Sequence, residues 1–150
     1  MAAPAVTAVT APAIATLHQA TIAVDTDMEL LHLKFANNTT NATTYIANLI
    51  ARMNIMYERD LKVRLRQGLT ILRTSPGGDP TNYTGDPYSQ APSPPPFNSA
   101  NSDQLDEFDT HWTGGCAGLC VGAPRALAMM LSGKSPSNNS ASGIARLNVL

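Results

Sequence analysis

An α/β layer is the fold class that this sequence predicts, and three stretches predict it. Residues 21–25, TIAVD, form a short apolar run ending in acid, which is the composition of a strand. Between about 41 and 59 the apolar side chains recur every three or four residues, the period of a helix with one buried stripe. From 61 to 66 the period drops to two, as in a strand with one face buried and one wet. Strand, helix and strand in that order open a βαβ-like unit rather than a bundle.

The first twenty residues, MAAPAVTAVTAPAIATLHQA, are rich in Ala, Pro and Thr and lack the positive n-region of a signal peptide. Residues 1–20 are therefore expected to be a flexible lead or the remnant of a longer upstream region, with a folded domain over 21–150. After the first strand, ELLHLKF at 29–35 reads as a second short strand or an irregular extension of the first. Asn37-Asn38-Thr39-Thr40 punctuates the chain, and Thr39, Thr40 or Asn41 can cap the helix that follows. Its apolar stripe is Ala42, Tyr45, Ile46, Leu49, Ile50, Met53, Met56 and Tyr57, opposite Asn48, Arg52 and Glu58.

In the next strand Leu61, Val63 and Leu65 alternate with Lys62, Arg64 and Arg66. The wet face of a strand explains this basic run, together with Arg59, more simply than a ligand site does. Gly68 interrupts as a bulge or a bend, and LTIL at 69–72 carries the strand on toward the core. Residues 75–102 are rich in Pro, Gly, Ser and Asn and read as an internal solubilising loop. Its length is unusual for a compact domain and suggests mobility or an insertion. DQLDEFDTHW at 103–112 suits a short helix capped by Ser102 or Asp103, with Leu105, Phe108 and Trp112 inward. GGCAGLCVGAP is a loop by its glycines; RALAMML at 125–131 is a helical turn or a buried strand. GIARLNVL at 143–150 opens an apolar segment that stops in mid-pattern, as if the fold continued beyond it.

Composition sets outer bounds. The chain has 150 residues, enough for one domain with a hydrophobic core, and 43% of them are hydrophobic. A net charge of -1, from 10 basic and 11 acidic side chains, offers no general attraction to nucleic acid or anionic lipid. No stretch approaches the roughly 18 apolar residues of a membrane span. Cys116 and Cys120 are the only cysteines; they can bridge each other or stand as free thiols, and CxxxC is not a usual zinc spacing. Sequons such as Asn38-Thr39-Thr40 and Asn82-Tyr83-Thr84 are expected by chance in a chain this rich in Asn and Thr.

Few residues suggest chemistry. Ser132-Gly133-Lys134-Ser135 contains GKS, but Ala128 stands where a phosphate-binding loop needs its first glycine, and Pro136 follows instead of a helix. Neither GxGxxG nor GxSxG occurs. His18, His32 and His111 form no HExxH. Asp25 with Asp27, and Asp103, Asp106, Glu107 and Asp109, could supply calcium oxygens, although a solvated polar surface is the simpler expectation. His111 beside Trp112 is either an active-site rim or a helix end.

Three strings go further: AVDTDMELLHLKFANNTTNATTYIANLIARMNIMYERDLKVRLRQGLTILRT, then QLDEF, then ALAMMLSGKSPSNNSASGIARLNVL. Together they resemble bacterial reprolysin-like zinc metallopeptidases, of the adamalysin branch of the metzincins, over most of residues 22–150. In that family a first strand leads into a long helix whose end feeds a second strand, and a loop leads on to a third, matched here by Leu127 to Leu131. The resemblance implies an incomplete zincin-like (metzincin) upper subdomain, a mixed sheet with a long helix. It places Gly143, Ile144 and Ala145 on the edge strand that pairs with an extended substrate; a plain core strand start is the alternative. The family's zinc motif, HExxHxxGxxH, holds zinc through its histidines and activates water through its glutamate. This chain does not contain it, and Arg146 stands where the family has an aromatic.

The expectation is thus a truncated homologue of a zinc-dependent metalloendopeptidase, itself without catalysis. It needs no cofactor in this chain, whereas full-length relatives use zinc on peptide or protein substrates in an extracellular or periplasmic setting. No nucleic-acid or membrane partner is expected. Self-association through an uncovered strand edge is. A non-catalytic soluble binding or cryptic protein is the alternative, and a nucleotide binder dependent on Lys134 a second one.

Overall fold

The computed structural model describes residues 16–75, 85–88 and 101–133. In chain order they form strand β1 (His18–Thr26), helix α1 (Thr39–Asp60), strand β2 (Val63–Ile71), helix α2 (Asn101–Thr113) and strand β3 (Leu127–Leu131). The sheet order is β2-β1-β3, so the first strand lies in the middle. Both pairings are parallel, and no antiparallel strand of the expected mixed sheet occurs among the described residues.

The middle strand is buried on both sides, and its side chains alternate between two separate cores. Ile22 and Val24 pack with Ile46 and Ile50 of α1 and Leu65 of β2. Ala23 faces the other way, into a core made with Ile71, Tyr88, Phe108, Trp112, Cys116 and Cys120. β3 follows the same alternation, with Met129 and Leu131 against the α1 core and Ala128 and Met130 against the α2 core.

A strict alternation along β2 would put Val63, Leu65, Leu69 and Ile71 on one face. They divide instead, Val63 and Leu65 to the α1 core and Leu69 and Ile71 to the α2 core. The register explains the switch: Ile22 pairs with Gln67 but Val24 with Thr70, so β2 holds one extra residue opposite Ala23. The bulge expected at Gly68 is therefore present, and it lets one strand supply both cores. A Cβ on Gly68 would lie 2.6 Å from Thr21 Cγ2 and 3.3 Å from the Ile22 carbonyl oxygen.

α1 forms where its period placed it, with Ala42, Ile46 and Ile50 buried. Each fully buried isoleucine contributes about 2 kcal/mol of apolar transfer. The helix starts earlier than expected, and the cap is Asn38, whose Oδ1 accepts the Asn41 N–H at 2.9 Å. Thr39, Thr40 and Asn41 lie inside the first turn. Met56 and Leu61 are exposed rather than buried. Leu61 is the C-cap of α1, and Lys62 beyond it takes the left-handed conformation (φ 56°) that ends the helix. Asn54 reaches sideways from α1 to the outer edge of β2, where its amide donates to the Leu65 carbonyl and accepts the Leu65 N–H.

Residues 29–35 are not a strand. They hold a π-helical turn, Leu30–Lys34, with Leu30 and Leu31 buried and His32, Leu33 and Lys34 exposed. Two buried neighbours followed by three exposed ones do not fit a period of two. α2 begins at Asn101, so Ser102 and Asp103 lie inside it rather than before it. Within the stretch 125–131 Leu127–Leu131 is a strand, and the glycine-rich loop before it contains a 3₁₀ turn, Cys116–Gly118. The basic run does lie on a wet face: Arg64 is exposed and paired with Glu58, and Arg66 is exposed beside Gln19.

Candidate functional site

In open parallel sheets the place for chemistry is outside the carboxyl ends of the strands, where connections leave toward opposite faces. Here that place is the end of β1, because α1 covers one face on the way to β2 and α2 the other on the way to β3. The chain fills it with Asp25, Thr26 and Asp27, all completely buried.

Asp25 points to the α2 side. Arg73, just past the end of β2, meets it in a two-pronged ion pair, Nε to Oδ1 and Nη2 to Oδ2, both at 2.8 Å. The side chains are 3% and 0% exposed, so water does not screen the pair. Tyr88 donates its hydroxyl to Asp25 Oδ2 at 2.7 Å, Trp112 its indole N–H at 3.3 Å, and Thr26 its backbone N–H to Oδ1 at 2.9 Å. Arg73 is equally occupied. Its Nη1 donates to the Gly85 carbonyl at 3.0 Å, and its backbone N–H to Thr26 Oγ1 at 3.0 Å. Burial works against the charge of Arg73, but the hydrogen bonds and charge of Asp25 outweigh it and raise its pKa.

His111 lies 2.9 Å from Arg73 Nη2 through Nε2. A guanidinium has no acceptor, so Nε2 must carry the lone pair and the ring proton sits on Nδ1. Burial, with Arg73 adding repulsion, lowers the pKa of His111 and favours that neutral form. The Tyr88 hydroxyl is pushed up, first by burial and then by Asp25. It is a hydrogen-bond donor rather than a proton source.

Two further carboxyl groups complete the region. Asp27 Oδ1 accepts the N–H of Leu30 three residues on, as a helix cap does, and the Gly133 N–H, both at 2.8 Å. Its Oδ2 accepts the hydroxyl of Ser132. Asp86 accepts the N–H groups of Met28 at 2.9 Å and Tyr88 at 2.8 Å. Burial raises the Asp86 carboxyl to about 6, against those hydrogen bonds and with the help of the Glu29 and Asp27 charges.

The expectation that Asp25 and Asp27 sit on a solvated surface is overturned. They are the most enclosed polar groups of the sheet, and N–H and O–H donors occupy them. N–H and O–H donors already occupy these oxygens, so a metal placed here would compete with them. Among the described residues no three His, Cys, Asp or Glu side chains gather as a metal-holding group. His18 and His32 are exposed and apart from His111, which serves Arg73. In the other acidic set, Asp106 and Asp109 are exposed on α2. His111 lies in the last turn of α2, and from there it joins the network through Arg73.

The GKS string divides at the limit of the described residues. Lys134 lies outside them, and the Gly133 N–H, which a phosphate-binding loop would keep for its ligand, is given to Asp27. A Cβ on Gly133 would overlap the backbone of Glu29 and Leu30, so this close crossing requires glycine. Gly143, Ile144 and Ala145 also lie outside the described residues. The cysteines form a Cys116–Cys120 disulfide, one of the two readings their spacing left open.

Arg73, Tyr88 and Asp86, which complete the network, carry no local signal. Arg73 follows an apolar run as any solvated cation could, and Tyr88 and Asp86 sit in a Pro/Gly-rich stretch. Among the described residues no helix is long and apolar enough to cross a membrane. Compared with protein families, curated proteins and solved structures, the chain matches no family model, no curated protein and no solved structure.

Proposed function

We propose that this chain is the scaffold of a zinc-metalloendopeptidase-type domain, building the sheet beside which an extended peptide binds and performing no hydrolysis itself. The order of building carries this reading. A first strand leads into a long helix, the helix into a parallel second strand, and a second helix into a third strand on the far side of the first. The resemblance to reprolysin-like peptidases implies a strand, a long helix, a second strand and, after a loop, a third; that order supports the reading, and α2 is additional to it. β3 stands at one edge of the three strands, and the segment holding Gly143, Ile144 and Ala145 follows it in sequence. An edge strand offers the N–H and C=O groups that an extended peptide needs. The Cys116–Cys120 bridge suits an extracellular or periplasmic setting.

The carboxyl groups at the end of β1 act as fasteners in this reading. They join β1, β2, α2, β3 and the 85–88 segment, and no step of peptide hydrolysis runs through them. The same saturation favours the second reading, a non-catalytic binding protein. Where an α/β enzyme leaves an open crevice, this chain's own side chains close it.

Two measurements test the proposal. The purified 150-residue chain should bind no stoichiometric zinc and show no chelator-sensitive cleavage of a broad peptide mixture. Zinc at one equivalent with such cleavage would defeat the claim that it performs no hydrolysis. Coding sequence downstream of Leu150 that contains HExxHxxGxxH would support the metallopeptidase scaffold. Its absence would leave the non-catalytic reading.

A further inference from the structure

The Cys116–Cys120 disulfide joins Cα atoms 5.2 Å apart and closes the turn between α2 and β3. Gly115, Cys116 and Gly118 hold positive φ values of 84°, 48° and 97° in that turn. For Cys116, which has a Cβ, this region costs about 1 kcal/mol, so the turn is held in a shape its own backbone disfavours. Both cysteines are buried in the α2 core with Trp112, Phe108, Tyr88, Ile71 and Ala23. Arg125 ties the turn to the indole: its Nη1 donates to the Cys120 carbonyl at 3.0 Å, and its guanidinium lies 4.9 Å from the Trp112 ring. Trp112 in turn donates to Asp25. A continuous path of contacts therefore runs from the sulfurs to the buried ion pair. The α1 core contains no member of that path.

We propose that Cys116–Cys120 is a redox-sensitive lock on the α2 half of the molecule. Oxidised, the bridge holds the strained turn and keeps Trp112 on Asp25. A dithiol reductant opens it by exchange. One reductant thiolate attacks a cysteine sulfur, the S–S bond breaks, and a mixed disulfide forms. The second reductant thiol then displaces the cysteine and closes its own disulfide. Two electrons and two protons pass from the reductant to Cys116 and Cys120, which end as thiols. Because the sulfurs are buried, attack waits on local opening of the turn. Once reduced, Cys116 leaves its left-handed conformation, and α2 loosens from the sheet while β1, α1 and β2 keep their separate apolar core. The lock is independent of the metallopeptidase reading, since it uses no substrate, metal or edge strand.

Trp112 is the sole tryptophan, so its fluorescence reports on this half alone. The folded chain is treated with dithiothreitol until two thiols are titrated. Trp112 emission should then shift to the red, and amide exchange over 105–122 should speed up by roughly thirtyfold, as loop closure predicts for so small a ring. Exchange over 42–50, in α1, should change by less than about twofold. Reoxidation should restore the first state. Unchanged emission and exchange with both thiols free would overturn the lock. So would acceleration in α1 equal to that in α2, because the halves would then be one cooperative unit.

Discussion

On one face of the sheet α1 lays Ile46 and Ile50 against Ile22, Val24 and Leu65, with Tyr45, Met53 and Tyr57 at the margins. On the other, α2 meets the sheet through Phe108 and Trp112, beside a disulfide, a buried phenol and a saturated ion pair. The first face is made of apolar groups whose attraction has no required angle. The second depends on hydrogen bonds that are worth little unless every partner is in place. A change on the α1 face should therefore cost in proportion to the area lost, and a change on the α2 face in proportion to the partners stranded.

The largest expected effect comes from Asp25→Ala. It strands the Arg73 guanidinium, the Tyr88 hydroxyl and the Trp112 N–H together. Removing one member of a buried pair costs about 4 kcal/mol, against about 3 kcal/mol for Ile46→Ala on the opposite face. Urea unfolding measures both. The contrast between the faces breaks if Asp25→Ala proves the milder of the two.

A pH series sharpens it further. The Asp86 carboxyl is raised from 3.8 to about 6, chiefly by burial. A raised folded pKa gives stability that is complete below 3.8 and fades as pH climbs through about 6. His111 behaves oppositely: its pKa is lowered from 6.5, so its contribution is present above that value and fades as pH falls through the depressed one. Asp86 lowers the unfolding midpoint from about pH 4 to about pH 6 while His111 opposes it, so Asp86→Asn should make the midpoint rise more steeply with pH over that range than in the parent chain. An unaltered slope in the variant would place the dependence elsewhere.

The smallest effect belongs to Asn38→Ala, which removes the cap on the Asn41 N–H for about 1 kcal/mol and leaves the α2 face alone. Thermal unfolding with Trp112 emission as one probe and helical circular dichroism as the other would check this. A shift in Trp112 emission before unfolding would show that the two faces communicate.

The same contrast governs what could be read before the structure. α1 was legible because its stripe repeats within the helix, and Gly68 because a glycine inside an alternation has few roles besides a bulge. Leu61 misled because a helix C-cap and the start of an alternating strand look alike over two or three residues. β3 stayed open between helix and strand because its apolar run is short. The polar network was not legible. Asp25 meets Arg73 across 48 positions, Tyr88 across 63 and Trp112 across 87, so no window along the chain contains the pair it needs. An aspartate ending a strand resembles a solvated one until those partners fold onto it.

One contact made by α1 bears on how copies of the chain can meet. The Asn54 amide occupies both backbone groups of Leu65 on the outer side of β2, as a neighbouring strand would. Growth of a sheet from molecule to molecule requires each molecule to offer two receptive borders. With Leu65 already paired to Asn54, the β2 border is a poorer acceptor for a strand from another copy. A strand approaching from this side must first displace the Asn54 amide, which discourages growth of the sheet there.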